Sequence, residues 1–361
     1  MVACALMRLC AAVVLAGCSF QGKAGSNPSG DAPISIDASR IDSPIIVDAR
    51  PDARPDAPPD AFVFLDAPAH PPNWWNASWS SRMQLTIKNT SASDMASGYQ
   101  VGLALDLDAA PCTGSRDQVR IVYNNTTDLA RVIDEVGTTE WTWFPLQAQI
   151  AAGTTNTSYW LYCGNANPTA ASADPATVFD VWDDFAGNTL ANTWASQNSV
   201  TVANGSVTLG NTGAIHSNAT YAANTAIDAM ATATGTSVSN PGWWLGYESN
   251  FSITNPWLVW YASAPNAIHP SVNESGMQHN DTGVTLDANP HLYGVETYGA
   301  TSAFRLADVI VDNHTNTSAI GALNIRFSVL QGSGSVSFDW VRVRKAVTPA
   351  PTVTVGTVET Y

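Results

Sequence analysis

The sequence predicts an all-β protein, two antiparallel β-sandwiches following a disordered N-terminal linker. Three observations predict it. The 361 residues are 45% hydrophobic but only 12% charged, with 25 Gly, 21 Pro and 13 Trp, and a chain so poor in charge and so rich in Thr, Ser, Val and aromatics favours strands and turns over exposed helices. Apolar and polar residues alternate in short runs from residue 80 onward, with no sustained 3.6-residue period. A third pattern, Asp-Ala and Pro recurring before residue 72, has no apolar face to bury. The net charge of −15 repels phosphate backbones, which excludes nucleic acid as a partner.

Residues 1–17 read as a targeting segment: Arg8, then the apolar run Leu9 to Leu15, too short to span a bilayer as a mature helix. They end in Leu15-Ala16-Gly17-Cys18, which resembles the bacterial lipobox. That resemblance implies lipidation of Cys18 and a membrane anchor without a spanning segment. With Ser19 next in line, it also implies an outer-membrane or cell-surface location. The alternative is an ordinary signal peptide with a chance cysteine.

Residues 18–72 then form a stalk. Asp-Ala recurs at Asp31, Asp37, Asp48, Asp52, Asp56, Asp60 and Asp66 between frequent prolines. Proline propagates neither helix nor central strand, and the like charges keep the chain extended. Phe62-Val63-Phe64-Leu65 is its one sticky patch.

The first folded domain is placed at 73–175. Met83 to Lys88 alternates over one strand, Tyr99 to Leu107 more loosely, then Val119, Ile121 and Tyr123. Glu140 to Phe144 and Ser158 to Cys163 are rich in aromatics, and Gly164-Asn165 turns the chain after the latter. Trp74-Trp75, Trp79, Arg82, Asp117, Arg120-Ile121-Val122-Tyr123, Trp143, Ile150 to Thr154 and Tyr162-Cys163-Gly164-Asn165 resemble the secreted-protein family called domain of unknown function 2341. The resemblance implies architecture and a surface location and brings no mechanism. Outside the leader and Cys18, the cysteines are Cys112 and Cys163. In an oxidising compartment they read as one disulfide, the alternative being two buried free thiols.

The second domain is placed at 176–347, with 348–361 as a C-terminal tail. Asp183-Asp184-Phe185, Trp194, the hairpin signal Asn204-Gly205 between alternating strands and the closing Phe338-Asp339-Trp340-Val341-Arg342-Val343-Arg344 resemble concanavalin A-like jelly rolls. That fold is shared by lectins, laminin G-type modules and some glycoside hydrolases. The resemblance implies that first and last strands are neighbours, so that Asp183, Asp184 and Asp339 meet as hard oxygen ligands for a structural calcium. Solvated carboxylates beside turns are the plainer alternative.

Carbohydrate is the favoured ligand class. Trp243, Leu245 and Tyr247 share one face of a strand, and Trp244, Gly246 and Glu248 the other; Trp257, Val259 and Tyr261 oppose Leu258 and Trp260 on the next. A sandwich strand with large apolars on both faces has something covering its outer face, either the first domain or a ligand. Sugar C–H faces stack on Trp and Tyr while hydroxyls bond a nearby Glu or Asn, so Trp244, Glu248, Trp257, Trp260 and Tyr261 are the candidate binding residues. The expectation is a non-catalytic, carbohydrate-binding surface lipoprotein. The alternatives are a structural or adhesion component with its aromatics between the domains, and a glycan-degrading enzyme. Against the last, the Glu-x-Asp-x-x-Glu strand of retaining glycosidases is missing. So are His-x-x-x-His, Gly-x-Ser-x-Gly and Cys-x-x-Cys.

Overall fold

The computed structural model describes residues 73–114, 116–136, 139–234, 242–249, 256–264, 267–274, 278–280, 283–307, 309–330 and 334–361. The leader 1–17, Cys18 and the linker 18–72 lie outside the described residues. In chain order the first strands are β1 (Ser81–Lys88), β2 (Gln100–Leu105), β3 (Arg120–Tyr123), β4 (Thr127–Asp128), β5 (Val132–Val136), β6 (Thr139–Pro145) and β7 (Thr155–Cys163). After a one-turn helix at Pro175–Val178 come β8 (Val181–Asp183), β9 (Trp194–Gln197), β10 (Val200–Ala203), β11 (Ser206–Leu209), β12 (Ala214–Tyr221), β13 (Thr225–Thr234), β14 (Trp243–Glu248), β15 (Trp257–Ala264) and β16 (Ala267–Asn273). The remainder are β17 (Gln278–Asn280), β18 (Val284–Thr285), β19 (His291–Thr297), β20 (Thr301–Leu306), β21 (Val309–Thr315), β22 (Leu323–Val329), β23 (Ser335–Lys345) and β24 (Thr352–Thr360).

The protein is all-β, as its patterning predicts, in two antiparallel sandwiches. Sheets β24-β1-β7-β3-β4 and β2-β6-β5 make the first. Its core is the inward set of the alternating runs, among them Leu85, Ile87, Val101, Ile121, Phe144, Tyr159 and Leu161. The second is a jelly roll of sheets β10-β11-β23-β13-β19-β20-β21, where β8 also joins β23, and β17-β16-β15-β14-β22-β12-β9. Asn204 and Gly205, both at positive φ, turn the β10–β11 hairpin as a two-residue loop, since Ala203 faces Ser206 in register. The first and last strands of the jelly roll are neighbours: Val181, Trp182 and Asp183 pair with Val343, Arg342 and Val341.

Residues 348–361 are no tail. Thr352 to Thr360 pairs along β1, from Lys88 opposite Thr352 to Ser81 opposite Thr360. The jelly roll is therefore inserted between the last two strands of the first sandwich. The Thr-Val-Thr-Val run at 352–355 is an ordinary strand pattern. What the sequence alone hides is its partner, because β1 lies some 270 residues upstream, as Arg82 and Glu359 show by bonding across a separation of 277. Cys112 and Cys163 form the disulfide, their Cα atoms 5.0 Å apart across a separation of 51 residues.

Two stability measurements follow from this topology. Cys112→Ser removes a cross-link over a loop of this length and should lower stability by about 4 kcal/mol through loop-closure entropy, read as a drop in urea midpoint that reductant reproduces in the wild type. Truncation after Val347 should unfold the first sandwich by exposing one side of β1, seen as new protease cleavage between residues 81 and 163.

Candidate functional site

Each sheet of the jelly roll has an outer face, and the two faces carry different chemistry. On β14, the side chains of Trp243, Leu245 and Tyr247 point inward, as do Leu258 and Trp260 on β15. Trp244, Trp257 and Val259 form a separate cluster on the outer face, with Tyr261 packed against it. The alternation read from sequence thus holds on both strands. Trp260 is corrected out of the candidate set: it is 0% exposed in the core, and its Nε1–H donates to the Gly294 carbonyl at 3.0 Å. The reason is parity, because Trp260 sits one residue off the Trp257, Val259 and Tyr261 set.

Register assembles the rest of that outer face. Trp244 lies between Tyr261 on one side and Ser328 on the other, Gly246 between Val259 and Arg326, and Glu248 between Trp257 and Asn324. Ser271 and Asn273 continue these rows on β16, and His216 extends the Arg326 row on β12. Glu248 is fully buried and its Oε2 accepts from Arg326 Nη1 at 2.9 Å. Burial lowers the Arg326 pKa, and the Glu248 charge only partly restores it. Two buried polar atoms on this face, Trp244 Nε1 and Ser328 Oγ, have no hydrogen-bond partner among the described residues, and the residues that carry them face each other in register. Arg326 and Ser328 were missed in the sequence, although the run Leu323-Asn324-Ile325-Arg326-Phe327-Ser328-Val329 alternates cleanly and places Asn324, Arg326 and Ser328 together.

The first sandwich meets the opposite sheet, and it uses other aromatics than those expected. Trp141, Trp143, Phe179, Trp182 and Trp340 make a ladder of rings with successive centroids 5.9, 6.0, 5.8 and 5.4 Å apart. Arg342 lies against it, 4.5 Å from the Trp143 ring and 5.1 Å from Phe179. Arg342 Nε donates to Asp228 at 2.8 Å and its Nη1 donates to Asp134. Arg344 donates to Asp228 at 3.0 Å and to Glu296 at 2.7 Å, and Arg305 pairs with Glu296 at 3.0 Å. Burial alone would raise the carboxyls of Asp228 and Glu296. The Arg344 and Arg342 guanidiniums outweigh it at Asp228, and Arg344 and Arg305 at Glu296, so both are held below the usual carboxylate range. Burial pushes the Tyr99 phenol beside them up to about 12.

The proposed carboxylate corner is used differently. Although β8 and β23 are adjacent, Asp183 accepts from the Phe185 backbone N–H at 2.7 Å and from Trp194 Nε1 at 2.7 Å, and Asp184 from the Ala186 N–H at 3.1 Å. Asp339 is the extra residue of a bulge, since Met230 pairs with Trp340 and Ala231 with Phe338. Among the described residues no group of three His, Cys, Asp or Glu could hold a metal ion. Of the expected calcium ligands Asp183, Asp184 and Asp339, the first two thus spend carboxylate oxygens on backbone and indole donors. Glu248, Glu274 and Glu296 are not brought together. Glu296 lies on the other sheet, and Glu274 is bound by His314 at 2.9 Å and by Thr317.

The profile of a family described as "Domain of unknown function (DUF2341)" matches residues 113–197, running from ahead of β3 through the end of β9. It begins beyond Trp74, Trp75, Trp79 and Arg82 and crosses the expected boundary at 175. Solved structures similar to the chain include an endo-β-1,3-glucanase from Pyrococcus furiosus, 12% identical, covering 47% of this chain and 94% of that one with a TM-score of 0.40. A laminarinase from Rhodothermus marinus is 13% identical over 47% of this chain and 97% of its own, TM-score 0.37. A β-1,3-glucanase from Mycobacterium marinum is 14% identical over 46% and 98%, TM-score 0.36. At these identities and scores the likeness assigns no activity to this chain. No curated protein matches its sequence.

Removing one member of a buried ion-pair network leaves its partners uncompensated, so Asp228→Asn should cost about 3–5 kcal/mol at neutral pH. Its pH dependence has a definite sign. Carboxyls depressed in the native state stabilise above their unfolded values of about 3.9 to 4.3 and lose that contribution as pH falls toward the native values. Urea midpoints measured downward from pH 6 should therefore fall more steeply in the wild type than in Asp228→Asn.

Proposed function

We propose that this protein is a non-catalytic carbohydrate-binding lipoprotein of the bacterial cell surface, with its glycan site on the outer face of β14, β15, β16 and β22. One observation carries the reading. On a face of Trp, Tyr, Asn, Ser and an Arg–Glu pair, Trp244 Nε1 and Ser328 Oγ are buried without a partner among the described residues. Sugar hydroxyls both donate and accept, which is what an indole N–H and a serine hydroxyl side by side require. Trp244 and Trp257 are only 4% and 8% exposed, so stacking on open indole surface contributes little. Satisfying the two unpaired groups, at about 1–3 kcal/mol each, contributes more.

Glu248 is engaged by Arg326, and the described residues of this face give it no second carboxylate, the arrangement glycoside hydrolysis needs. This supports binding over turnover. Release of reducing ends from a polysaccharide panel, abolished in Glu248→Gln, would reverse that choice. Attachment to the membrane through Cys18 is part of the proposal, on the lipobox resemblance alone. Labelled palmitate should enter the wild type and not Cys18→Ser.

A glycan array probed with the full chain should give one reproducible glycan class. Ser328→Ala and Trp244→Phe should each weaken that binding by roughly tenfold, the cost of about 1.4 kcal/mol for a lost hydrogen bond. Trp260→Ala should instead unfold the jelly roll, since deleting a buried Trp side chain costs about 3–5 kcal/mol. A folded protein with a blank array sinks the reading.

A further inference from the structure

Between the two sandwiches lies a cavity of about 200 Å³ on the face away from the glycan site proposed above. One wall is the Trp141–Trp143 pair, whose rings are stacked with an interplanar angle of 26°. The floor is the ion-pair network of β13, β19, β20 and β23, including Glu296, Arg305 and Arg344, and Pro351 on the way to β24 closes another side. Two glycines shape it. A Cβ on Gly102 would come within 2.8 Å of the Trp143 ring, and one on Gly294 would stand 3.1 Å from Arg305 and 3.2 Å from Asp228. Both strands therefore leave out a side chain where the indole and the floor need room.

We infer that this cavity is a second ligand site, and that it takes one neutral sugar ring or a cyclic polyol of that size. Three features set the class. The volume lies below the roughly 300–1,000 Å³ of sites for drug-sized ligands, so one ring fits and an oligosaccharide does not. Trp141, stacked on Trp143, offers an apolar surface to one side of the ring, and both are only partly buried. The floor alternates guanidiniums, which only donate, with carboxylates, which only accept, and a hydroxyl can bond either.

Charge decides against an ionic ligand. Arg305, Arg342 and Arg344 are matched by Asp134, Asp228 and Glu296, three positive groups against three negative. A carboxylate or ammonium on the ligand would have to pull apart a buried pair, and that costs more than the new contact returns. A neutral ring binds with the pairs intact. Because each sandwich supplies part of the lining, a bound ring also bridges the two.

The test titrates the full-length protein with glucose, galactose, mannose and N-acetylglucosamine, and with glucuronate and galacturonate, following saturation-transfer NMR and tryptophan fluorescence. At least one neutral sugar should bind saturably, and Trp141→Ala should weaken it by roughly tenfold, the loss of an aromatic stack plus its buried area. Ala350→Phe, which adds bulk at the cavity's edge on the way to β24, should abolish it in folded protein. Ser328→Ala should leave it unchanged, which separates this site from the glycan face. The inference is overturned if no neutral monosaccharide binds at any soluble concentration, if binding survives both cavity variants in folded protein, or if the uronates bind tighter than their neutral counterparts.

Discussion

The guanidinium of Arg342 is the point on which the two sandwiches depend. It belongs to the closing strand of the jelly roll, packs against Trp143 of the first sandwich and Phe179 of the connecting segment, and shares its charge between Asp228 on its own sheet and Asp134 across the interface. An arginine suits this place where a lysine would not, since the planar group stacks and donates in its plane at the same time. At 2% exposure the guanidinium is largely withdrawn from bulk water, so the contacts act at reduced dielectric, and the same burial makes an unpaired member costly. The ring ladder from Trp141 to Trp340 and the Arg344–Glu296–Arg305 pairs extend outward from it.

The inserted topology explains why such a network is worth maintaining. A jelly roll joined to its neighbour by one linker could move independently. Here the chain leaves the first sandwich after β7 and returns to it as β24, so two connections cross the boundary. Lys345 adds a clasp at the return, its Nζ on Asp180 at 2.6 Å and its backbone N–H on Gln100 at 2.7 Å. Charged groups share the boundary with aromatic rings because the outward-facing positions of β23 are Trp340, Arg342 and Arg344. The inward-facing ones, Val336, Phe338, Val341 and Val343, are already spent on the core.

The jelly roll thus presents two unlike outer faces from one construction rule. On β14, β15 and β22 the outward positions hold indoles, an ion pair and unpaired hydrogen-bonding atoms, and on β13, β19 and β23 they hold an ionic lattice. The tryptophan excess that first suggested a ligand surface is divided accordingly. Trp243 and Trp260 are core, Trp244 and Trp257 line the β14–β15 face, and Trp141, Trp143, Trp182 and Trp340 serve the boundary.

Much of this was legible in the chain. Alternation gave the fold class, the inward and outward sets of β14 and β15, and the Asn204-Gly205 hairpin, because period-2 patterning and turn chemistry act over a few neighbouring residues. The Cys112–Cys163 link was readable from the number of cysteines left outside the leader and Cys18. What the sequence could not supply was pairing at a distance. Neither the destination of Thr352–Thr360 nor the choice of Arg342 and Trp143 as partners follows from local pattern. Trp260 went to the core although its neighbours Trp257 and Tyr261 did not, since parity is settled by register with adjacent strands. Asp183 and Asp184 were drawn into turn and indole hydrogen bonds that only the folded corner creates. By itself the sequence determined which residues are strand and which side of a strand each occupies. The tertiary structure decided which strands meet, because that choice rests on burying whole faces together and no single segment contains the information.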